Sequence, residues 1–284
     1  MIDTPSPLRY PGGKTILYKN IRNILEENNL IDGTYMEPFS GGAGLALKLL
    51  INNDVKRIVI NDYDYAIYAF WHNVLFETEK FCRDIETIKV NLEEWEKQKE
   101  IYNNQNIYSL YEIGFATFFL NRTNRSGIIK GGPIGGRKQE GKYKINCRFN
   151  KPVLINKIKR IGQYSNKIKL YNYDVNEFIN KVIMKQKKEN FFVYFDPPYI
   201  KKGPELYKNH FNHEEHEYLS KNIKDKLFEK NWIVTYDKSE LVYKLYENFC
   251  IVDFDLNYSA GNNKVGNELM IFSNKLVTKN SINI

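Results

Sequence analysis

Residues 191–199 read Phe-Phe-Val-Tyr-Phe-Asp-Pro-Pro-Tyr, and this stretch decides the fold. Its five leading residues are apolar and mostly aromatic, which predicts a strand buried inside a parallel sheet. The two prolines end the strand, because proline donates no hydrogen bond to a ladder and keeps the chain extended. Asp196 and Tyr199 are therefore expected at the carboxyl edge of a central strand, where open α/β sheets bind their ligands. Taken alone, Asp-Pro-Pro is equally typical of a turn in which the aspartate only caps the next segment.

The composition allows a nucleic-acid partner but does not require one. The 284 residues can form one large domain, or one domain with a second inserted into it. A formal net charge of +8 is mixed with 21 tyrosines and 17 phenylalanines, which suits a polyanion whose bases can stack on aromatic rings. A solvated lysine-rich surface gives the same charge, so the charge by itself leaves both interpretations open.

Cysteine use and the hydropathy pattern bear on the compartment. Cys82, Cys147 and Cys250 lie far apart without a Cys-x-x-Cys spacing, which argues against a disulfide framework and fits a reducing cytosol. The N-terminus shows no signal-peptide pattern, and no stretch approaches the roughly 18 apolar residues of a membrane span. We predict a cytoplasmic protein without a membrane segment.

A glycine turn near the N-terminus predicts half of a nucleotide-binding unit. Residues 34–39 predict a strand, residues 40–44 (Ser-Gly-Gly-Ala-Gly) the turn, and a helix follows. The next strand ends at Asp62, about 20 residues further on, where a ribose-binding carboxylate belongs. An NAD site is the rival interpretation, but Leu47 stands where that fingerprint requires Gly or Ala. A mononucleoside with a small charged tail fits better than a dinucleotide.

Two motifs that often carry phosphate or metal chemistry are incomplete here. Residues 12–15 (Gly-Gly-Lys-Thr) suggest a P-loop, but Leu8 occupies the position of its first glycine. His213 and His216 are three positions apart, whereas a zinc-binding helix requires four. We therefore predict a solvated helix start at this pair and no metal site.

The alternation of strands and helices is interrupted between about residues 80 and 165. The interval contains helical sequence and then a glycine-rich, cationic loop at 121–138. A flexible surface loop is the plain interpretation, whereas its Arg and Asn residues, which read guanine and adenine edges, favour contact with DNA. The predicted DNA contacts are Arg122, Asn124, Arg125, Lys130, Arg137 and Lys138.

The regular pattern resumes after the interval. Strands are predicted at 167–173, 232–236, 250–256 and 268–273, and residues 258–267 are predicted as a polar loop. Residues 1–80 and 165–284 are thus expected to form one discontinuous catalytic domain with an α/β sheet. Residues 81–164 are expected to form an inserted, mostly helical domain that recognises the target.

Five segments, in this order, resemble the Dam-type (D12 class) DNA adenine-N6 methyltransferases. They are Tyr10-Pro11-Gly12-Gly13-Lys14, residues 37–44, Asn61-Asp62, residues 118–122 and Asp196-Pro197-Pro198-Tyr199. The resemblance spans nearly the whole chain. One departure concerns residues 126–130 (Ser-Gly-Ile-Ile-Lys), which replace the family's Asn-Gly-Leu-x-Arg and precede an added glycine-rich stretch. The target sequence is therefore not predicted.

The resemblance implies a Rossmann-like sheet that binds S-adenosylmethionine. It implies methyl transfer from this cofactor to the N6 amino group of a flipped adenine in duplex DNA. Asp62 would hold the ribose hydroxyls and Asp174 the adenine of the cofactor. The implied cofactor-binding residues are Tyr10, Lys14, Glu37, Pro38, Phe39, Ser40, Gly41, Gly42, Asp62, Asp174 and Asp196.

The Asp-Pro-Pro-Tyr motif suits this reaction on physical grounds. Adenine N6 is a poor nucleophile because its lone pair is delocalised into the ring. If the Asp196 carboxylate and the Pro197 carbonyl accept its two hydrogens, the nitrogen can become pyramidal and free that pair. Tyr199 would stack on a base taken out of the duplex. The predicted catalytic residues are Asp196, Pro197, Pro198 and Tyr199, and no metal is required.

Two other classes of function stay open at this point. One is an RNA adenine or protein amide methyltransferase, and the other is a catalytically silent DNA-binding relative. The inserted basic segment favours double-stranded DNA, and the intact motif argues against the silent relative. The resemblance also implies a bacterial or phage-encoded monomer or weak dimer, for which a cognate restriction endonuclease is a conceivable partner.

Overall fold

A seven-stranded sheet organises the computed structural model, which describes residues 4–9, 12–187, 190–200, 211–258 and 264–278. The strand order is β3-β2-β1-β4-β5-β7-β6. The first five strands in this order are parallel, and β7 runs antiparallel to both of its neighbours. The strands are β1 (Thr34–Glu37), β2 (Arg57–Asn61), β3 (Ile168–Tyr171), β4 (Phe191–Phe195), β5 (Asn231–Asp237), β6 (Cys250–Tyr258) and β7 (Lys264–Phe272).

The α/β class predicted from the sequence is confirmed, and helices cover both faces of the sheet. They are α1 (Tyr18–Glu27), α2 (Gly44–Ile51), α3 (Tyr65–Phe76), α4 (Thr78–Thr87), α5 (Leu92–Asn103), α6 (Leu110–Thr123), α7 (Lys151–Gly162), α8 (Val175–Phe178), α9 (His213–Lys226) and α10 (Glu240–Leu245). A π-helical turn, Ile179–Ile183, continues α8. None of the helices in the described part of the chain has the length and apolarity that crossing a lipid bilayer requires.

The central strand β4 explains why the sheet is covered twice. All five of its side chains are buried. Phe192 and Tyr194 pack in the core shared with α1 to α7, whereas Val193 and Phe195 pack in the core shared with α8 to α10. Each such burial stabilises the fold by about 1.5–3 kcal/mol. A strand that is apolar at every position therefore requires a helical layer on each side.

The interval between the two sheet halves is helical, as predicted. Helices α4 to α7 follow α3, and α6 and α7 pack against it. Their apolar side chains belong to the same continuous core as one face of the sheet. The domain boundaries at residues 80/81 and 164/165 stay a prediction, because this shared core marks no separate domain.

Two expectations about local structure require correction. The predicted polar loop at 258–267 is too long, since β6 runs to Tyr258 and pairs with Lys264 at the start of β7. The backbone hydrogen bonds between β6 and β7 do not depend on the polarity of the side chains, so the pairing continues through this polar segment. Residues 259–263 lie outside the described part. His216 is buried rather than solvated, and its Nδ1 lies 3.1 Å from the Tyr236 hydroxyl.

Candidate active site

Two strand ends frame a crevice at the carboxyl edge of the sheet. The strand order reverses between β1 and β4, because β2 and β3 follow on one side and β5 on the other. Such a switch point is where open α/β sheets bind their ligands. Glu37 is the last residue of β1 and Asp196 directly follows β4, so both carboxylates lie at this crevice.

Asp196 is anchored by two side chains and yet stays reachable. Thr235 Oγ1 donates a hydrogen bond to its Oδ1 at 2.9 Å. Lys14 Nζ lies 3.0 Å from its Oδ2, and 21% of the Asp196 side chain is exposed. A carboxylate offers about four lone-pair sites. Asp196 can therefore accept further hydrogen bonds from a molecule in the crevice while its position stays fixed.

Lys14 lies buried at the centre of the site. It begins the 3₁₀ turn Lys14–Leu17 ahead of α1. Besides pairing with Asp196, its Nζ donates to the Gly12 carbonyl at 2.9 Å and to the Tyr199 hydroxyl at 2.7 Å. A buried ammonium group destabilises a fold unless it is paired and hydrogen-bonded, and these contacts meet that requirement. The residue predicted as a cofactor contact thus lies against the Asp-Pro-Pro-Tyr motif.

Tyr199 contacts a carboxylate that the sequence analysis did not single out. Its hydroxyl donates to Glu268 Oε1 at 2.6 Å, and Glu268 is almost fully buried. Glu268 lies on β7 directly opposite Asp237, the last residue of β5. Asp237 in turn accepts a hydrogen bond from the Ile200 N–H at 2.9 Å. The chain is therefore fixed at Tyr199 through its side chain and just after it through its backbone.

The glycine turn between β1 and α2 is fastened to the residues that follow β2. The Gly41 N–H donates to Asp62 Oδ2 at 2.8 Å, and the Asp64 N–H donates to Asp62 Oδ1 at 2.9 Å. Gly41 has φ 43°, in the left-handed region that glycine adopts readily. The desolvated surroundings raise the pKa of Asp62 to about 7, and the charge of Asp64 contributes to the rise.

Glu37 is a second carboxyl with an altered titration. Burial raises its pKa to about 8, against a hydrogen bond from Tyr35 that acts in the opposite direction, and the charge of Asp196 adds to the rise. The Tyr35 hydroxyl donates to Glu37 Oε1 at 3.0 Å. At neutral pH Glu37 is therefore mostly protonated, whereas the carboxyl group of an exposed glutamate would be ionised.

The glycine turn fits the methionine end of S-adenosylmethionine. Ser40 Oγ is buried and has no hydrogen-bond partner among the residues that the structure describes. Buried hydroxyls in native proteins are normally hydrogen-bonded, so a polar ligand group would complete this one. The N-terminus of α2 follows directly, and the first N–H groups of a helix favour a negatively charged group.

The remaining predicted cofactor residues lie around the same crevice or outside the described residues. Asp174 caps α8, since its Oδ1 accepts from the Asn176 N–H at 2.8 Å. The Pro38 carbonyl accepts from Asn61 Nδ2 at 2.9 Å. The ring of Phe39 meets that of Phe211 edge-on, with 5.9 Å between centroids. Gly42 lies within the turn, Pro197 and Pro198 join Asp196 to Tyr199, and Tyr10 lies outside the described residues.

Three polar residues of the site were missed by the sequence analysis, namely Thr235, Asp237 and Glu268. Asp237 ends an apolar strand and obeys the same rule that identified Asp196, but the strand was expected to stop at Tyr236. Glu268 precedes a run of four apolar residues in β7, which is a signal for a buried acid. The strand-end rule applies to the carboxyl ends of parallel strands, whereas Glu268 reaches the same edge from the antiparallel strand.

The loop after α6 is joined to the N-terminal segment by one buried asparagine. Asn121 accepts from the Arg9 N–H at 2.8 Å and donates to the Arg9 carbonyl at 3.0 Å. The same Nδ2 donates to the Gly127 carbonyl at 2.9 Å. A Cβ atom at Gly127 would lie 2.3 Å from the Arg9 carbonyl oxygen, so only glycine permits this approach.

A second asparagine closes the first turn of the same loop. Asn124 is fully buried, and its Oδ1 accepts from Trp95 Nε1 at 2.6 Å. Its Nδ2 donates to the carbonyls of Ile128 and Ile129 at 3.0 and 2.8 Å. Both ends of the Asn124 amide are therefore used inside the protein.

The predicted DNA-contacting cations differ in their surroundings. Arg122 donates through Nε to the Arg148 carbonyl at 2.8 Å, and burial lowers its pKa to about 10. Arg137 is exposed and pairs with Glu96 at 2.9 Å. The side chains of Arg125, Lys130 and Lys138 are exposed and form no ion pair with another described residue.

An open, basic groove of about 530 Å³ lies along the tip of this loop. Arg125, Arg137, Lys138 and Lys142 line it together with Tyr143, whose side chain is 59% exposed. Cations beside an exposed aromatic ring suit a phosphate backbone and its bases. Within the described ranges, no three His, Cys, Asp or Glu side chains are grouped as the ligands of a metal ion.

Comparison with known proteins shows similarity to one enzyme family. The sequence matches the D12 class N6 adenine-specific DNA methyltransferases over residues 10–260. It is 25% identical over 210 residues to the type II methyltransferase M.MjaIII of Methanocaldococcus jannaschii, a match that covers 68% of each chain. It is 23% identical over 206 residues to the modification methylase StsI of Streptococcus sanguinis, covering 69% of this chain and 28% of that protein.

Similarity to solved structures is more distant. The rRNA methyltransferase aviRa of Streptomyces viridochromogenes matches with a TM-score of 0.42 and 10% identity, over 94% of this chain and 87% of that one. M. capricolum TrmK in complex with S-adenosyl-homocysteine matches with a TM-score of 0.35 and 10% identity, over 89% and 69% of the two chains.

Proposed function

Because the chain belongs to the D12 class N6 adenine-specific DNA methyltransferase family, we propose that the crevice between β1 and β4 receives one adenine turned out of duplex DNA. The enzyme methylates the N6 amino group of adenine in DNA, with S-adenosylmethionine as the methyl donor. The family decides among the functions left open by the sequence in favour of DNA. The observation that carries the proposal is Asp196, anchored by Thr235 and Lys14 and still open to the crevice.

Asp196 activates the amino group in this proposal. The Asp196 carboxylate and the Pro197 carbonyl accept the two N6 hydrogens, so the nitrogen becomes pyramidal and its lone pair is released from the ring. The lone pair then forms the N–C bond while the bond between the methyl carbon and its sulfur breaks. One N6 proton is finally lost to Asp196 and passes to bulk solvent, to which the carboxylate is partly exposed.

The cofactor is held by the glycine turn and the residues beside it. S-adenosylmethionine supplies a methyl group already activated by its sulfonium. Ser40 and the N-terminus of α2 bind the methionine end, Asp62 binds the ribose hydroxyls and Asp174 the adenine. Asp62 also fixes the turn through the Gly41 N–H, so one carboxylate both shapes the site and contacts the ligand.

Tyr199 stacks on the extruded adenine. The ring is only 5% exposed before DNA binds, and stacking therefore requires the surrounding side chains to move aside. The hydroxyl contacts Lys14 and Glu268 at the far end of the ring, and the Lys14 ammonium also lies over the ring, 5.0 Å from its centroid. Base flipping gives access that a paired adenine inside the duplex cannot offer.

Residues 81–164 recognise the DNA in this proposal, with the loop at 121–138 as their contact surface. The exposed cations Arg125, Lys130, Arg137 and Lys138 contact DNA. Arg122 and Asn124 were predicted as contacts from their residue types. The proposal assigns them instead to holding the loop, because their polar groups bond within the protein.

A host free of adenine methylation that expresses this chain tests the function directly. We expect genome sequencing to find N6-methyladenine at every copy of one short motif and at no other adenine. Asp196→Ala, expressed at the same level, should leave the genome unmethylated. Methylation that is absent with the wild type, or that occurs in RNA alone, would contradict the proposal.

We propose further that a cognate restriction endonuclease acts alongside this enzyme. The two curated relatives are named as a type II methyltransferase and a modification methylase. We propose that methylation by this chain protects DNA from an endonuclease of the same target, and that the chain acts as a monomer. DNA methylated at the identified motif should resist cleavage by such an endonuclease. The molar mass of the protein, measured by light scattering at increasing concentration, should stay that of one chain.

A further inference from the structure

We propose that Glu268 is a positioning residue for methyl transfer, acting through Tyr199 and Lys14. This inference rests on the proposed function of the crevice. A buried carboxylate destabilises a fold unless it is paired and hydrogen-bonded, so a buried Glu on the most apolar part of β7 requires a reason. Glu268 contacts Tyr199 and Lys14, which both belong to the active site, and this explains a carboxylate at a buried position.

The hydrogen bonds around Tyr199 have only one direction. Lysine is a donor only, so the Tyr199 hydroxyl accepts from Lys14 Nζ at 2.7 Å. The single hydroxyl proton is then left for Glu268 Oε1 at 2.6 Å. The chain of contacts runs from Lys14 through Tyr199 to Glu268, and a second link joins Lys14 to Asp196 at 3.0 Å.

Glu268 also balances the position of Lys14. The ammonium lies 3.0 Å from Asp196 Oδ2 and 3.8 Å from Glu268 Oε2, so it is shared by two carboxylates. Without the charge of Glu268, the ammonium would be drawn more strongly to Asp196. Asp196 would then have fewer lone pairs available for the adenine amino group.

The same contacts hold Tyr199 at both ends. Asp237 fixes the backbone at Ile200, and Glu268 fixes the hydroxyl at the tip of the side chain. Reacting groups must be held within a fraction of an ångström, because small misplacements lower rates strongly. Glu268 should therefore affect the rate of the chemical step much more than the binding of either substrate.

A remote carboxylate with the same kinds of contact serves as the matched control. Asp54 is also buried, accepts from the Tyr18 hydroxyl at 2.8 Å and pairs with Arg22 at 3.1 Å. It lies outside the crevice. Asp54→Asn should lower the melting temperature and leave kcat unchanged, which is the result that a merely structural carboxylate gives.

The test compares Glu268→Gln, Tyr199→Phe and their double variant on the duplex identified by sequencing. Glu268→Gln keeps the side-chain shape, and we expect a roughly 10- to 100-fold fall in kcat with DNA and cofactor dissociation constants within about twofold of wild type. The double variant should lose little more than the worse single variant, because Glu268→Gln weakens and Tyr199→Phe removes the same hydrogen bond. Tyr199→Phe tests the same contact if Glu268→Gln fails to fold.

A readout without turnover completes the test. A 2-aminopurine placed at the target adenine reports stacking in the crevice by its fluorescence, with no cofactor present. Glu268→Gln should change this signal relative to wild type, and Asp54→Asn should not. The proposal would be overturned by an unchanged kcat or an unchanged fluorescence signal in Glu268→Gln, or by rate losses that multiply in the double variant. In each of these cases, methylation of the target by the wild-type protein would still support the proposed function.

Discussion

The crevice and the loop at 121–138 both carry many charges, but they arrange them in opposite ways. In the crevice, Lys14 is buried and lies within 3.0 Å of Asp196. On the loop, Arg125 and Lys138 are exposed, while Asn121 and Asn124 hold the base of the loop and Arg137 pairs with Glu96 further along it. Chemistry requires groups that are already in place, whereas recognition of a long polyanion requires groups that can reach. The difference predicts that changes in the crevice alter rates and changes on the loop alter affinity and preference.

The largest effect is expected from Asp196→Ala. The variant removes the carboxylate that we propose holds the N6 amino group, and losing one positioned partner of a reacting group typically lowers the rate about 100- to 1000-fold. Single-turnover methylation measures this loss, while DNA affinity should stay within about twofold because the loop is unchanged. Turnover like that of the wild type would remove Asp196 from the mechanism.

Asp62→Ala should separate cofactor binding from DNA binding. The variant loses the proposed contact with the cofactor ribose and also removes the acceptor of the Gly41 N–H, so the glycine turn should loosen. Hydrogen bonds to charged groups contribute about 1.5–3 kcal/mol, which corresponds to a roughly 10- to 100-fold weaker cofactor affinity by calorimetry. Non-specific DNA affinity serves as the internal control. Unchanged cofactor affinity would rule out the assignment of Asp62.

Arg125→Ala should relax the choice of target. If the exposed Arg125 reads a guanine edge, its loss weakens binding to the cognate duplex by about 1–3 kcal/mol and reduces discrimination at one position only. Methylation of cognate and single-mismatch duplexes measures this. Lys138→Ala is the matched variant, and as a phosphate contact it should weaken binding to all duplexes alike and lower the salt slope by about one. Equal losses on every duplex for both variants would show that Arg125 is not a reader.

Glu37→Gln should change how stability depends on pH. The folded protein holds the Glu37 proton up to about pH 8, whereas the unfolded chain releases it near its ordinary value of 4.5. Between these two pH values the folded state therefore binds more protons than the unfolded chain does. The free energy of unfolding accordingly decreases as the pH rises through this range, by at most about 1.4 kcal/mol per pH unit. Urea unfolding of the cofactor-free protein should show a flatter pH dependence for Glu37→Gln than for the wild type. Parallel curves for the two proteins would contradict the raised pKa.

The parallel part of the fold followed from local patterns in the sequence. Apolar runs bounded by Gly, Pro and Asp marked β1, β2 and β4, and the rule of the strand end located Asp62 and Asp196 at one edge. Helices α4, α7 and α10 were not predicted. Their buried positions, such as Leu154, Ile158 and Ile161 in α7, recur at helical spacing, but lysines between them hide the pattern.

The site was predicted less completely, because its contacts join distant parts of the chain. Lys14 and Tyr199 are 185 positions apart, and Tyr199 and Glu268 are 69 apart. No local pattern reports that a lysine at a turn will meet a glutamate on an antiparallel strand. The internal hydrogen bonds of Arg122 and Asn124 were not foreseen for a similar reason, since only packing shows where such polar groups bond.

The hydrogen bonds of Asn121 bear on how the sequences of such enzymes change during evolution. Asn121 joins Arg9 to Gly127, and Lys14 follows Arg9 by only five positions, so the N-terminal segment connects the root of the loop to the buried lysine of the crevice. The side chains of the loop beyond Ile128 take no part in the crevice contacts described above. If the loop reads DNA as proposed, these residues can change over generations, and the target sequence with them, while the residues that hold the root of the loop stay constant.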